Sequence, residues 1–125
     1  MSDKPYILRE ATVTFSKDVI AFCRSEPSTI VTRPLIEQLI RSATSIGANY
    51  TEADNAGSRS DFRNKIFIAK KEAAETRYWL NLLGEVVSDK EACKKLAADC
   101  QLLLMTLQKV VNSLRNRPPV TDNLP

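Results

Sequence analysis

The stretch SDFRNKIFIAKKEAAETRYWLNLL, residues 60–83, decides the fold. It contains no Pro and no Gly. Phe62, Ile66, Ala69, Ala73, Thr76, Leu80 and Leu83 recur at three- and four-residue steps. That period places them on one helical stripe. The single Trp, Trp79, and its neighbour Tyr78 fall near the end. Lys70, Lys71, Glu72, Glu75 and Arg77 form the densest run of charge in the chain. One long helix therefore buries a seam and displays polar chemistry.

Working outward, Ser58 or Ser60 caps this helix, and Asp61 in its first turn complements the helix dipole. The helix is predicted over about residues 60–87, with Gly84 near its end. Upstream, Asn55-Ala56-Gly57-Ser58 reads as a turn, with Gly57 suited to a left-handed position just past a helix end. A preceding helix is predicted over about residues 34–55, with Pro34 in its first turn. Its apolar stripe is Leu35, Ile36, Leu39, Ile40, Ala43, Ile46, Gly47 and Tyr50. Arg41, Ser45, Asn49 and Glu52 form a polar ridge beside it, at steps of four, four and three. Gly47 inside a helix costs about 1 kcal/mol relative to Ala, which points to close packing there.

Residues 25–33 read as a loop in which Pro27 stops a first helix, predicted over about residues 8–24. Leu8, Ala11, Phe15, Val19 and Phe22 form its stripe. Downstream, Ser88-Asp89-Lys90-Glu91 fits a capping box. The last helix, over about residues 89–115, buries Cys93, Leu96, Cys100, Leu103, Leu107, Val110, Val111 and Leu114. Residues 1–6 read as a loose arm, and the tail PPVTDNLP as disordered. The expectation is one all-α domain over residues 1–125, an antiparallel up-down-up-down four-helix bundle.

Composition narrows the function. The chain has 125 residues, a net charge of +3 and no His. Without His, the usual base, proton shuttle and metal ligand are missing. The three Cys form no metal-type pair and read as reduced, buried thiols. No apolar run approaches the ~20 residues that span a bilayer, and MSDKPYILRE has no signal-peptide core. A cytoplasmic protein with no cofactor and no membrane contact is expected.

Two blocks carry a resemblance. The first is Arg41-Ser42-Ala43-Thr44-Ser45-Ile46-Gly47-Ala48-Asn49-Tyr50-Thr51-Glu52. The second begins at Phe62 and continues as Ile68-Ala69-Lys70-Lys71-Glu72-Ala73-Ala74-Glu75-Thr76-Arg77-Tyr78-Trp79-Leu80. With these the chain resembles the four-helix bundle family encoded in intervening sequences of bacterial 23S ribosomal RNA genes, often labelled S23 ribosomal-protein-like. The first and last helices match it only by length and pattern. The resemblance implies a homo-oligomeric ring, a pentamer. It also implies kinship with accessory proteins of diversity-generating retroelements, which bind nucleic acid and a reverse transcriptase through basic surface.

Two groups of side chains are candidates for function. Arg41, Ser45, Asn49, Glu52, Glu72, Glu75, Arg77 and Trp79 are read as a structural polar network or a subunit interface. Facing carboxylates also suit a di-metal bundle, but such sites draw on a Glu-x-x-His pattern that this chain lacks, so no metal site is assigned. No nucleophile or pocket is marked, so no catalytic residue is assigned. Tyr78 and Trp79 point to different sides, and one outside the core would suit an oligomer contact.

The second group is a basic pole. In the expected topology, Lys4, Arg9, Arg59, Arg63, Lys65, Lys109, Arg115 and Arg117 gather at one end. Against them stand Asp3, Glu10, Glu52, Asp54 and Asp61, which leaves an excess equal to the whole net charge of +3. Repeated around an oligomer, that excess becomes an anion-binding surface. Arg59, Arg63, Lys65, Lys109, Arg115 and Arg117 are its candidate RNA or DNA contacts, directed at the backbone. The leading expectation is a non-enzymatic homo-oligomeric bundle acting as a nucleic-acid or ribonucleoprotein accessory. The alternative is a scaffold that binds a protein partner and has no nucleic-acid role.

Overall fold

The computed structural model describes residues 6–116, which form four α-helices. They are α1 (Leu8–Ser25), α2 (Thr32–Asp54), α3 (Arg59–Leu83) and α4 (Lys90–Arg115). Arg117 and the tail lie outside the described residues, as do the first five residues of the arm.

Contacts between neighbouring helices fix the directions. On α2 and α3, Arg41 meets Glu75, Ser45 meets Glu72 and Glu52 meets Lys65, so one residue number falls as the other rises. On α3 and α4, the Cys93 thiol donates to the Leu80 carbonyl and the Cys100 thiol to the Ala73 carbonyl, while Arg115 lies over the Phe67 ring. Arg9 near the start of α1 pairs with Asp54 at the end of α2. Glu26, just past α1, reaches Ser88, just before α4. The bundle therefore runs up-down-up-down, with α1 beside α4 closing the square.

The predicted stripes become the core. Ile66, Ala69, Ala73, Thr76, Leu80 and Leu83 of α3 are buried, and Phe62 is half-buried. They pack with Phe15 and Val19 of α1, Leu39 and Ile46 of α2, and Leu103, Leu107 and Val111 of α4. Each large side chain taken out of water in this way contributes roughly 1.5–3 kcal/mol. On α1, Thr12 is buried and Ala11 only half-buried. The Thr12 hydroxyl bonds back to the Arg9 carbonyl at 2.9 Å, so it enters the core already satisfied. A Cβ on Gly47 would stand 3.4 Å from the Thr12 Cβ. The packing at Gly47 is thus the close crossing of α1 over α2.

The local signals divide. Ser58 caps α3, accepting from the Asp61 N–H at 3.0 Å. The capping box expected at Ser88 does not form, because Asp89 caps α4 by accepting from the Ala92 N–H and the Ser88 hydroxyl donates to Glu26. Reciprocal capping occurs instead before α2. The Thr32 N–H donates to the Thr29 hydroxyl at 2.9 Å, and the Thr29 N–H to the Thr32 hydroxyl at 3.0 Å. That starts α2 two residues before Pro34. Helix α3 ends at Leu83 rather than near residue 87, because residues 84–86 turn and bring Val87 into the core. Gly57 does not take the left-handed conformation expected of it; α2 ends on Asn55 at φ −112°.

Candidate interaction surfaces

The polar ridge of α2 meets α3 along a ladder of hydrogen bonds. Deepest is the pair Ser42 and Thr76, both buried, with their hydroxyl oxygens 2.9 Å apart. Next outward, the Ser45 hydroxyl donates to the Glu72 carboxylate at 3.2 Å. Asn49 reaches back along α2, donating to the Ser45 hydroxyl at 3.0 Å. At the surface the Arg41 guanidinium spans both carboxylates, 3.4 Å from Glu72 and in direct contact with Glu75. The Trp79 indole N–H donates to the same Glu75 carboxylate at 3.0 Å. These donors, the indole first and then Arg41, hold the Glu75 carboxyl below the usual carboxylate range. The contact with Glu75 in turn raises the Arg41 pKa.

Six of the eight candidates, Arg41, Ser45, Asn49, Glu72, Glu75 and Trp79, are joined by this chain of contacts. The other two are not. Glu52 pairs with Lys65 at 2.7 Å, one turn from the ladder's end. Arg77 faces α4, where it donates to Gln101 at 2.7 Å. Residues two apart on a helix point apart, and Arg77 lies two from Glu75. Trp79 is half-buried against the core, and its ring meets Tyr78 edge-on at 5.0 Å. Tyr78 is 55% exposed. Among the described residues, no cluster of three or more His, Cys, Asp or Glu side chains is placed to hold a metal ion.

The basic candidates share a pole. Arg59, Arg63 and Lys65 open α3, and Lys109 and Arg115 close α4 beside them. Arg115 packs over the Phe67 ring at 5.4 Å, which seats the end of α4 on the first half of α3. Part of the pole's charge is already answered: Arg9 pairs with Asp54 at 2.9 Å and Lys65 with Glu52 at 2.7 Å.

The sequence reading missed Glu26, which is 9% exposed. Its carboxylate accepts from the Ser88 N–H at 2.9 Å, the Asp89 N–H at 3.0 Å and the Ser88 hydroxyl at 3.1 Å. Burial pushes its pKa up, but these bonds and the Lys90 charge outweigh that and hold it low. The signal was present: Glu26 falls four residues after Phe22, in phase with the α1 core stripe.

The architecture defines a class, the small antiparallel four-helix bundle, here with a hydrogen-bonded polar seam between its second and third helices. The family model described as 23S rRNA-intervening sequence protein matches residues 6–109, and the chain belongs to that family. A crystal structure of a protein of unknown function from the S23 ribosomal protein family of Bacteroides thetaiotaomicron superposes with a TM-score of 0.71. The two are 31% identical, over 84% of this chain and 98% of that one. No curated protein matches the chain. No helix among the described residues is long and apolar enough to cross a membrane.

Proposed function

We propose that this chain is a non-enzymatic, self-associating bundle that acts in the cytoplasm as an accessory to nucleic acid or ribonucleoprotein. The observation that carries this reading is the basic pole, where two helix ends from different parts of the chain bring Arg59, Arg63, Lys65, Lys109 and Arg115 together. Side chains at helix ends reach phosphates without disturbing a core. Self-association multiplies the field, since one monomer carries only +3. A homo-pentamer is the assembly that the family resemblance implies. Membership of a family described by rRNA intervening sequences supports a nucleic-acid setting.

The test replaces Arg59, Arg63 and Lys65 with Gln and measures RNA and DNA binding across a salt series. Removing one ion pair to a phosphate lowers the salt slope by about one unit, with sequence preference unchanged. Arg24, Lys90 and Lys94 changed together at the opposite pole are the control. Equal weakening in both variants would mean that attraction is diffuse and the pole is not a site. If the wild type binds no nucleic acid at low salt, the scaffold reading replaces this one, on the strength of exposed Tyr78, Leu102 and Met105.

A further inference from the structure

The loosest seam of the bundle lies between α1 and α4. It opens as a groove of about 430 Å³. Phe15 and Ala11 line it, and Ile7 and Leu102, 45% and 48% exposed, stand at its rim. Glu10, Asp18 and Asp99 set three carboxylates against the single ammonium of Lys95. Lys95 is already engaged with Asp99 at 2.8 Å. Among the described residues Glu10 and Asp18 make no ion pair. The groove is therefore apolar within and acidic at its edge, in a chain whose net charge is positive.

The opposite character appears on the outer side of α3. Lys71, Ala74, Tyr78 and Leu82 follow at steps of three, four and four, one stripe off the buried positions of α3. Tyr78 is 55% exposed and Leu82 37%. Lys70 flanks Lys71, and among the described residues neither makes an ion pair. Glu75, four residues on from Lys71, is occupied by Arg41 and Trp79. This face is an apolar ridge with two uncompensated positive charges. Helix α3 adjoins α2 and α4 but not α1, so the ridge does not meet the groove within one chain.

We propose that the α3 ridge of one copy seats in the α1/α4 groove of the next, an assignment that rests on the self-association reading above. The match is in shape, an apolar ridge against an apolar groove, and in charge, two ammonium groups against two unpaired carboxylates. The two faces differ, so the contact is head-to-tail and its repetition makes a closed ring or a helical array.

Charge reversal tests the pairing by sedimentation of the full chain at low salt. Glu10→Lys with Asp18→Lys reverses the groove, and Lys70→Glu with Lys71→Glu reverses the ridge. Each pair of changes should weaken self-association by about tenfold or more, with helicity unchanged by circular dichroism. All four changes in one chain should restore it. Tyr78→Glu, which alters no ion pair, should weaken it as well. A monomeric wild type would sink the self-association reading and this pairing with it. A wild-type oligomer that all the variants also form would leave assembly standing and overturn the pairing alone. So would a fourfold variant that stays dissociated, or a basic amphipathic peptide that takes the groove without displacing a neighbouring copy.

Discussion

The Glu26 carboxylate lies 2.9 Å from the Ser88 backbone nitrogen, bridging the end of α1 to the start of α4. An anion at that place satisfies two backbone donors and complements the positive end of the α4 dipole. Glu26→Ala should lower unfolding free energy by about 1–2 kcal/mol, since Ser88 and Asp89 are exposed and water recovers part of the loss. The pH dependence has a definite sign. The folded-state pKa of Glu26 is depressed, and an unfolded Glu titrates near ~4.3. Its stabilisation is complete above that value and is lost as pH falls through the folded pKa. The difference between wild type and Glu26→Gln in urea titrations should therefore shrink toward zero in acid. A constant difference across pH would show that charge is not what matters.

Trp79 should report on Glu75 without any label. Its indole N–H is bound to that carboxylate, whose pKa is depressed. Emission should hold steady down to the ordinary carboxylate range and change only as pH falls below it. Glu75→Gln should abolish that transition. With Arg41 47% and Glu75 39% exposed, Arg41→Ala should cost less than about 1 kcal/mol. Divalent ions should not raise the melting temperature, and a rise abolished by Glu72→Gln with Glu75→Gln would overturn the pairing of these carboxylates with Arg41.

Gly47→Ala should be stabilising. The added Cβ meets Thr12 at 3.4 Å, ordinary van der Waals contact. The helix then keeps most of the ~0.5–1 kcal/mol by which Ala exceeds Gly. Gly47→Leu should instead push α1 from α2 and cost about 1–3 kcal/mol. Equal melting temperatures for the Leu variant and the wild type would show that this crossing is not close.

The thiols should be sluggish. Burial pushes Cys100 up to about 12, and burial with the nearby Glu26 charge pushes Cys23 up to about 11. At mildly alkaline pH Cys23 holds on the order of a hundredfold less thiolate than a free cysteine, and Cys100 on the order of a thousandfold less. Alkylation followed by mass spectrometry should find all three slow in the native protein, with half-buried Cys23 the fastest. Rates equal to those of the unfolded chain would contradict this.

The helices were legible because the core stripes of α3 and α4 survive folding almost residue for residue and that of α1 exchanges only Ala11 for Thr12, whereas α2 buries Leu39, Ala43 and Ile46, leaves Leu35, Ile36, Ile40, Gly47 and Tyr50 half-buried and adds Thr32, Ser42 and Ala53. Polar partners were less so. Spacing alone put Arg41, Ser45 and Asn49 on one ridge, but whether Glu52 joins them depends on how far α3 slides along α2. That register is set by the Ser42–Thr76 contact and places Lys65 opposite Glu52. Arg77 could have been assigned away from Glu75 from its two-residue offset. The box at Ser88 failed for a tertiary reason: a carboxylate 62 residues away competes for the same hydroxyl. The basic pole followed from topology alone, yet which of its charges are already paired did not.

The bridge from Glu26 to Ser88 also sets an order of events during synthesis. The α2–α3 ladder joins residues 27 to 34 apart in sequence, whereas Glu26 waits for partners 62 and 63 residues later. Until residue 89 has left the ribosome, the end of α1 carries a charge in core phase with no partner. The nascent chain can close its central hairpin early, but the first helix cannot dock fully until the last has begun.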